Sequence, residues 1–252
     1  MRPPIRFFRP GGPIRPDVLI RPPRRAWVAD PILSAPAPLF DSFTARTVPT
    51  GTSDSFTHVC GGSLRCLYVM VAFSDNPLSP VTCSYNGVGM TEIASQTAPY
   101  VHAFRLVNPA AGSNLVALAW PGARFGHAMA ISLVGVDQAD PDDAPVTELS
   151  GDESISVPSA SRDLVLDMLA MFGAGSLTAG AGQTSRGTAS SAAGAIFCST
   201  EPGTDPSVTM SWTSTGNVVF HVGVNIRAPV VPQLGLMAQQ SQRPLSGRTG
   251  AS

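Results

Sequence analysis

Residues 218–226 read VVFHVGVNI, and their alternation decides the fold class. Val218, Phe220, Val222, Val224 and Ile226 share one face of an extended chain, and Val219, His221, Gly223 and Asn225 share the other. A period of two with large apolar side chains on one side belongs to a β-strand; a helix would repeat its apolar face every three or four residues. Working backwards, LRCLYVMVAF at Leu64–Phe73 is apolar on both faces, which predicts a central strand of a packed sandwich. DLVLDMLAM at Asp163–Met171 is ambiguous, because Leu and Met also favour helix. Its alternation of Leu164, Leu166, Met168 and Ala170 tips the reading to strand.

Further strands are expected at Phe43–Val48, Val81–Tyr85, Val101–Val107, Leu115–Trp120, His127–Val136, Ala195–Cys198 and Val208–Trp212. Turn signals separate them: Ser74-Asp75-Asn76-Pro77, Asn86-Gly87, Asn108-Pro109, Pro121-Gly122 and Glu201-Pro202-Gly203. Asn86-Gly87 is the best hairpin signal, since a tight hairpin needs positive φ at both central residues. The Gly/Ser/Ala/Thr-rich stretch Gly173–Gly194 reads as a long loop or a weak edge hairpin. The expectation is an all-β chain: an antiparallel, jelly-roll-like β-sandwich over residues 41–228, with an extended arm at 1–40 and a polar tail at 229–252.

Composition narrows function by exclusion. Charged residues are only 13%, with 24 Gly and 24 Pro, which disfavours a coiled coil or helical bundle. All 16 basic residues are arginine, so a phosphate-loop lysine, a Schiff-base lysine and a lysine general base are ruled out. No GxSxG elbow is present, and His58, His102, His127 and His221 are scattered without zinc spacing, so each reads as a surface or boundary residue. Asp137, Asp140, Asp142 and Asp143 lack the calcium-loop template and read as a solvated acidic connector. Asp75, Glu92 and Asp167 are the carboxylates that a glycosidase would have to pair, but spacing alone does not bring them together. No catalytic residue, metal site or cofactor is assigned, and the chain reads as a non-enzyme. Cys60, Cys66, Cys83 and Cys198 show no CxxC and read as buried free thiols. No secretory h-region is visible, and the run Ala128–Val136 is too short to span a bilayer, so membrane insertion is not expected.

Charge is distributed unevenly. Residues 1–29 carry seven arginines and one acid, while the remainder carries nine arginines and sixteen acids. The prolines of residues 1–40 exclude helix and central strand, leaving an extended arm. Arg2, Arg6, Arg9, Arg15, Arg21, Arg24 and Arg25 supply forks for carboxylates, and Phe7, Phe8 and Trp27 supply apolar anchors. This pattern suits docking onto an acidic protein better than binding nucleic acid. Among the aromatics, Trp212 shares its face with Val208 and Met210 and reads as core. Tyr100 follows Pro99 and Trp120 borders a Pro-Gly turn, so these two are the candidate contacts for a glycan at an exposed edge, together with the Gly173–Gly194 segment.

The succession VAFSDNP, VTCSYNGVGMTEIA, FRLVNPAAGSNLV, AMAISLVGVDQADP, SVPSASRDLVLDMLA, GAGQT, STEPG, VTMSW and HVGVNI resembles β-sandwich modules of phage and gene-transfer-agent-like virion proteins, from about Phe43 to Ile226. The resemblance implies a structural virion protein: a head spike, decoration protein or fibre component, made in the host cytoplasm and assembled into the particle. It carries no common catalytic set. Expected partners are other virion proteins, further copies of the chain as a homo-oligomer, and host surface glycan. The alternative is a carbohydrate-binding module for cell-surface polysaccharide, with a glycan-cleaving enzyme as the weakest reading.

Overall fold

The computed structural model describes residues 35–97, 100–149, 153–215 and 217–230. Among them every regular element is a strand, and all pairings are antiparallel. The first half of the chain builds one sheet from β1 (Leu39–Cys60), β2 (Cys66–Phe73), β3 (Thr82–Tyr85), β4 (Val88–Gly89), β5 (Thr91–Thr97), β6 (Tyr100–Val107) and β7 (Gly112–Val134). The second half builds another from β8 (Val146–Leu149), β10 (Leu164–Phe172), β12 (Thr184–Ser191), β13 (Gly194–Pro202) and β15 (Asn217–Ile226). A small third sheet holds β9 (Ser154–Pro158), β11 (Leu177–Ala179) and β14 (Ser207–Ser214). The antiparallel sandwich is therefore as expected; the first sheet is filled by the first half of the chain, whereas the second half alternates between the second and third sheets.

The two-faced apolar runs explain how the layers stack. Tyr68, Met70 and Ala72 of β2 face Leu166, Met168 and Ala170 of β10, with Phe220, Val222 and Val224 of β15 in the same inner core. The opposite face of β2 presents Leu67, Val69, Val71 and Phe73, and these are covered by Cys83 and Tyr85 of β3 and Val116, Leu118 and Trp120 of β7. The opposite face of β10 is covered likewise: Leu169 and Met171 meet Trp212, and Val165 meets Ile155, Val157, Val208 and Met210. The two central strands thus carry covering strands on their outer sides, and every residue of β2 is buried. Each large side chain so buried contributes roughly 1.5–3 kcal/mol, which outweighs the weak strand preference of Leu and Met in β10.

β7 serves two layers because it bends. Residues Gly126–Leu133 pair with β2, whereas Val116–Ala119 pair with β3. Between them the ladder with β1 jumps from Gly51↔Arg124 to Ser53↔Ala119, so Trp120, Pro121, Gly122 and Ala123 stand against Thr52 alone. The Pro121-Gly122 signal, expected to end one strand and start another, marks this bulge inside one continuous strand. Asn86-Gly87 forms the expected tight turn of the β3–β4 hairpin, with φ of 50° and 76°.

One boundary moves. The arm was expected to run to Phe40, but Leu39 and Phe40 already pair with Val134 and Leu133 in β1. Phe40 packs against the inner core, and Arg186 sits over its ring at 4.4 Å, so burial draws it into the body. The Gly-rich stretch Gly173–Gly194 contains β11 and all of β12, an edge strand of small polar residues. Gln183 pins it by accepting from Ser211 N (2.7 Å) and donating to Ser199 Oγ (2.8 Å).

Candidate functional site: a groove at the β5–β6 hairpin

A groove of about 170 Å³ opens beside β5 and β6, walled by the segment from Asn76 to Val81 and by Glu92, Ser95, Tyr100 and His102. The hairpin assembles one wall. Ser95 lies opposite His102 and Thr97 opposite Tyr100, and a bulge between Glu92 and Ala94 offsets the strand before them. Glu92 Oε1 thereby comes within 2.6 Å of His102 Nδ1, with the carboxylate 41% and the imidazole 16% exposed. The polar ends are wet while the ring backs onto apolar structure: His102 stacks near Phe104 (centroids 6.4 Å apart, 17° between planes) and meets the edge of Phe73 at 6.3 Å.

The bent part of β7 holds the opposite wall. Gly122 N donates to Pro77 O at 2.7 Å, and Ser74 N donates to Phe125 O at 2.9 Å. Arg124 Nε stands 3.7 Å from Asp75 Oδ2, outside the groove. A Cβ at Gly122 would sit 3.0 Å from Pro77 O and 3.2 Å from Leu78 Cγ, so the close approach depends on glycine. Asn76 Oδ1 accepts from Leu78 N at 2.8 Å and tightens the turn from within.

The predicted glycan contacts part company here. Tyr100 is half-buried and lines the groove. Trp120 does not reach solvent: it is 3% exposed and packs on Phe73 with centroids 4.8 Å apart. Its place beside a Pro-Gly pair suggested exposure, but the bulge turns the strand inward and makes the indole part of the layer beneath the groove. The Gly173–Gly194 segment does not line this groove. His102, Ser95 and the turn at residues 76–81 were not singled out as a site, because nothing in their spacing announces that a hairpin and a bulge will bring them together.

The three carboxylates weighed for glycosidic chemistry also separate. Glu92 is in the groove, Asp75 pairs with Arg124, and Asp167 is fully buried in the second sheet. Asp167 Oδ2 accepts from Trp212 Nε1 at 2.7 Å, which confirms Trp212 as core. His221 Nε2 lies 2.5 Å from Asp167 Oδ1, off the angles of a good hydrogen bond, with both side chains at 0% exposure. This acid–imidazole pair has no route for a ligand; it lies on the outer face of β10 and β15, under the covering sheet.

Three of the four histidines are buried, not at the surface or boundary as expected: His58, His127 and His221. His58 Nδ1 is 3.0 Å from Thr44 Oγ1 and Nε2 is 3.3 Å from Ser42 Oγ. Burial lowers its pKa to about 4, against a smaller opposing pull from Asp41. The acidic connector is likewise not simply solvated. Asp142 accepts from Tyr68 OH at 2.7 Å and pairs with Arg105, while Asp140 and Asp143 pair with Arg227. Burial raises the Asp142 pKa even though Tyr68 and Arg105 favour its charged form. These contacts tie the loop to β2, β6 and the end of β15.

All four cysteines are free and buried, as predicted. Burial pushes Cys66 and Cys83 up to about 12, so they stay as thiols and act as core. Among the described residues no group of three or more His, Cys, Asp or Glu is placed to hold a metal, and no helix is long and apolar enough to cross a membrane. The predicted docking residues Arg2, Arg6, Phe7, Phe8, Arg9, Arg15, Arg21, Arg24, Arg25 and Trp27 lie outside the described residues, as does most of the predicted tail. No protein-family model matches the chain, and neither does any curated protein or solved structure.

Proposed function

We propose that this chain is a non-enzymatic attachment protein, a structural component of a phage-like particle whose β body recognises a cell-surface saccharide in the Glu92–Tyr100–His102 groove. The observation that carries this reading is the groove itself: an aromatic ring, a carboxylate and an imidazole converge on one concave, partly wet surface. Aromatic faces cover the C–H side of a sugar ring, and planar polar groups at its edge hold the hydroxyls. Among the described residues a single carboxylate lines the groove, whereas hydrolysis of a glycosidic bond by the common two-carboxylate route needs a pair. The particle half of the proposal rests on the arginine- and proline-rich residues 1–34 and on the resemblance in the sequence; the arm would attach the protein to the particle.

Two arms of one experiment test it. Purified protein is incubated with a panel of bacterial surface polysaccharides, and binding should be lost in Tyr100→Ala while thermal stability is kept. Co-sedimentation with purified particles should be lost when residues 1–34 are removed, a cut that spares β1. Binding that survives Tyr100→Ala contradicts the groove, and particle association that survives the truncation contradicts the arm.

A further inference from the structure

We infer that the ligand of this groove is an uncharged or amine-bearing saccharide unit and not an acidic one; the inference rests on the glycan-binding reading above. His102 Nδ1 faces Glu92 Oε1 at 2.6 Å, so that nitrogen carries the proton and donates it to the carboxylate. In the neutral imidazole Nε2 is then an acceptor, and Glu92, 41% exposed, keeps acceptor capacity beyond the oxygen that His102 occupies. The chemistry-bearing wall is therefore rich in acceptors. A ligand that satisfies it must donate, as a sugar hydroxyl or an ammonium does.

Charge points the same way. Among the described residues the groove contains no arginine, and Glu92 is its one carboxylate. Arg124, next to the turn, is directed to Asp75, and Arg105, on the same strand as His102, is directed to the buried Asp142. A uronate or sialate entering the groove would meet the Glu92 charge with no guanidinium to offset it, and like charges in proximity disfavour binding strongly. An amine would instead find a counter-ion. The remaining polar lining, Ser95 and Ser79, is neutral and compatible with hydroxyls. The volume of about 170 Å³ fits one sugar ring against Tyr100, with the rest of a chain leaving through the open side.

The test uses sugars that differ in charge on one ring. The full chain is titrated by calorimetry at pH 7.5 with the methyl glycosides of glucose, glucosamine and glucuronic acid, and with the corresponding galacto series. In the series that binds, the neutral and amine members should bind at least tenfold more tightly than the uronate. Glu92→Gln should weaken the amine member most, by about tenfold, and bring the uronate to within about twofold of the neutral sugar. A uronate that binds as tightly as the neutral sugar, with binding lost in Tyr100→Ala, overturns the charge assignment and leaves the groove standing. If no member binds, or if binding is indifferent to both Tyr100→Ala and Glu92→Gln, the glycan-binding reading itself falls. Thermal melts of both variants separate loss of binding from loss of fold.

Discussion

The described residues include two acid–imidazole pairs at similar separation and in opposite circumstance. Glu92 and His102 meet at 2.6 Å on a hairpin, with the acid 41% exposed; Asp167 and His221 meet at 2.5 Å with both at 0%. The first pair sits where covering structure stops and a groove begins. The second sits on the outer face of β10 and β15, where the small third sheet seals it and Trp212 donates a hydrogen bond to the carboxylate. The same two functional groups therefore line an open groove in one place and lie sealed between layers in the other. Solvent access separates these roles.

The largest expected effect breaks the sealed pair. Asp167→Ala leaves His221 and the Trp212 N–H without their carboxylate in a dry interior, and should cost about 3–5 kcal/mol in urea unfolding. Glu92→Gln, at a wet site, should cost less than about 1 kcal/mol. Equal losses would erase the distinction.

A third imidazole sharpens the comparison through pH. His58 is neutral in the fold, with its pKa lowered to about 4 by burial. Above about pH 6.5 the folded and unfolded chains are both neutral there and no stability is lost. As pH falls from about 6.5 to 4 the unfolded chain takes up the proton and the folded chain does not, so stability declines by up to about 3 kcal/mol and then levels off. His58→Asn, which can still bond Thr44, should show a correspondingly shallower loss in denaturant titrations between pH 7 and 4.

A smaller effect concerns the groove wall. Gly122→Val places a branched side chain where a Cβ alone comes 3.0 Å from Pro77 O. It should displace the turn at residues 76–81, cost about 1–3 kcal/mol, and abolish saccharide binding without touching Glu92 or His102. Retained binding would mean that this wall is not part of the site.

These regions also differ in how far the sequence foretold them. The alternation in Asn217–Ile226 and the two-faced runs of β2 and β10 gave strands in the right places, because burial writes itself into apolar periodicity. The same runs did not say which strands cover them, since a buried face records that a neighbour exists and not its identity. Thr184–Ser191 has no apolar face and is held as an edge strand by β13, so it read as a weak edge at most. Tyr100 was legible as a residue at a strand end. Its partners were not: Glu92 and His102 are ten residues apart, and only the β5–β6 register with its bulge brings them into contact. Trp120 misled because a Pro-Gly pair usually marks an exposed turn, and here it marks a bend that folds the strand over its own sheet.

The most direct test of the central claim is a nuclear magnetic resonance titration of the labelled full chain with the methyl glycoside that binds best. The account predicts that the side-chain signals of His102 and Tyr100 and the amide of Ser95 move together, in a saturable way, while those of His221 and Trp212 stay fixed. Saturable movement confined to His221 and Trp212, or saccharide binding that leaves His102 and Tyr100 unmoved, would contradict it.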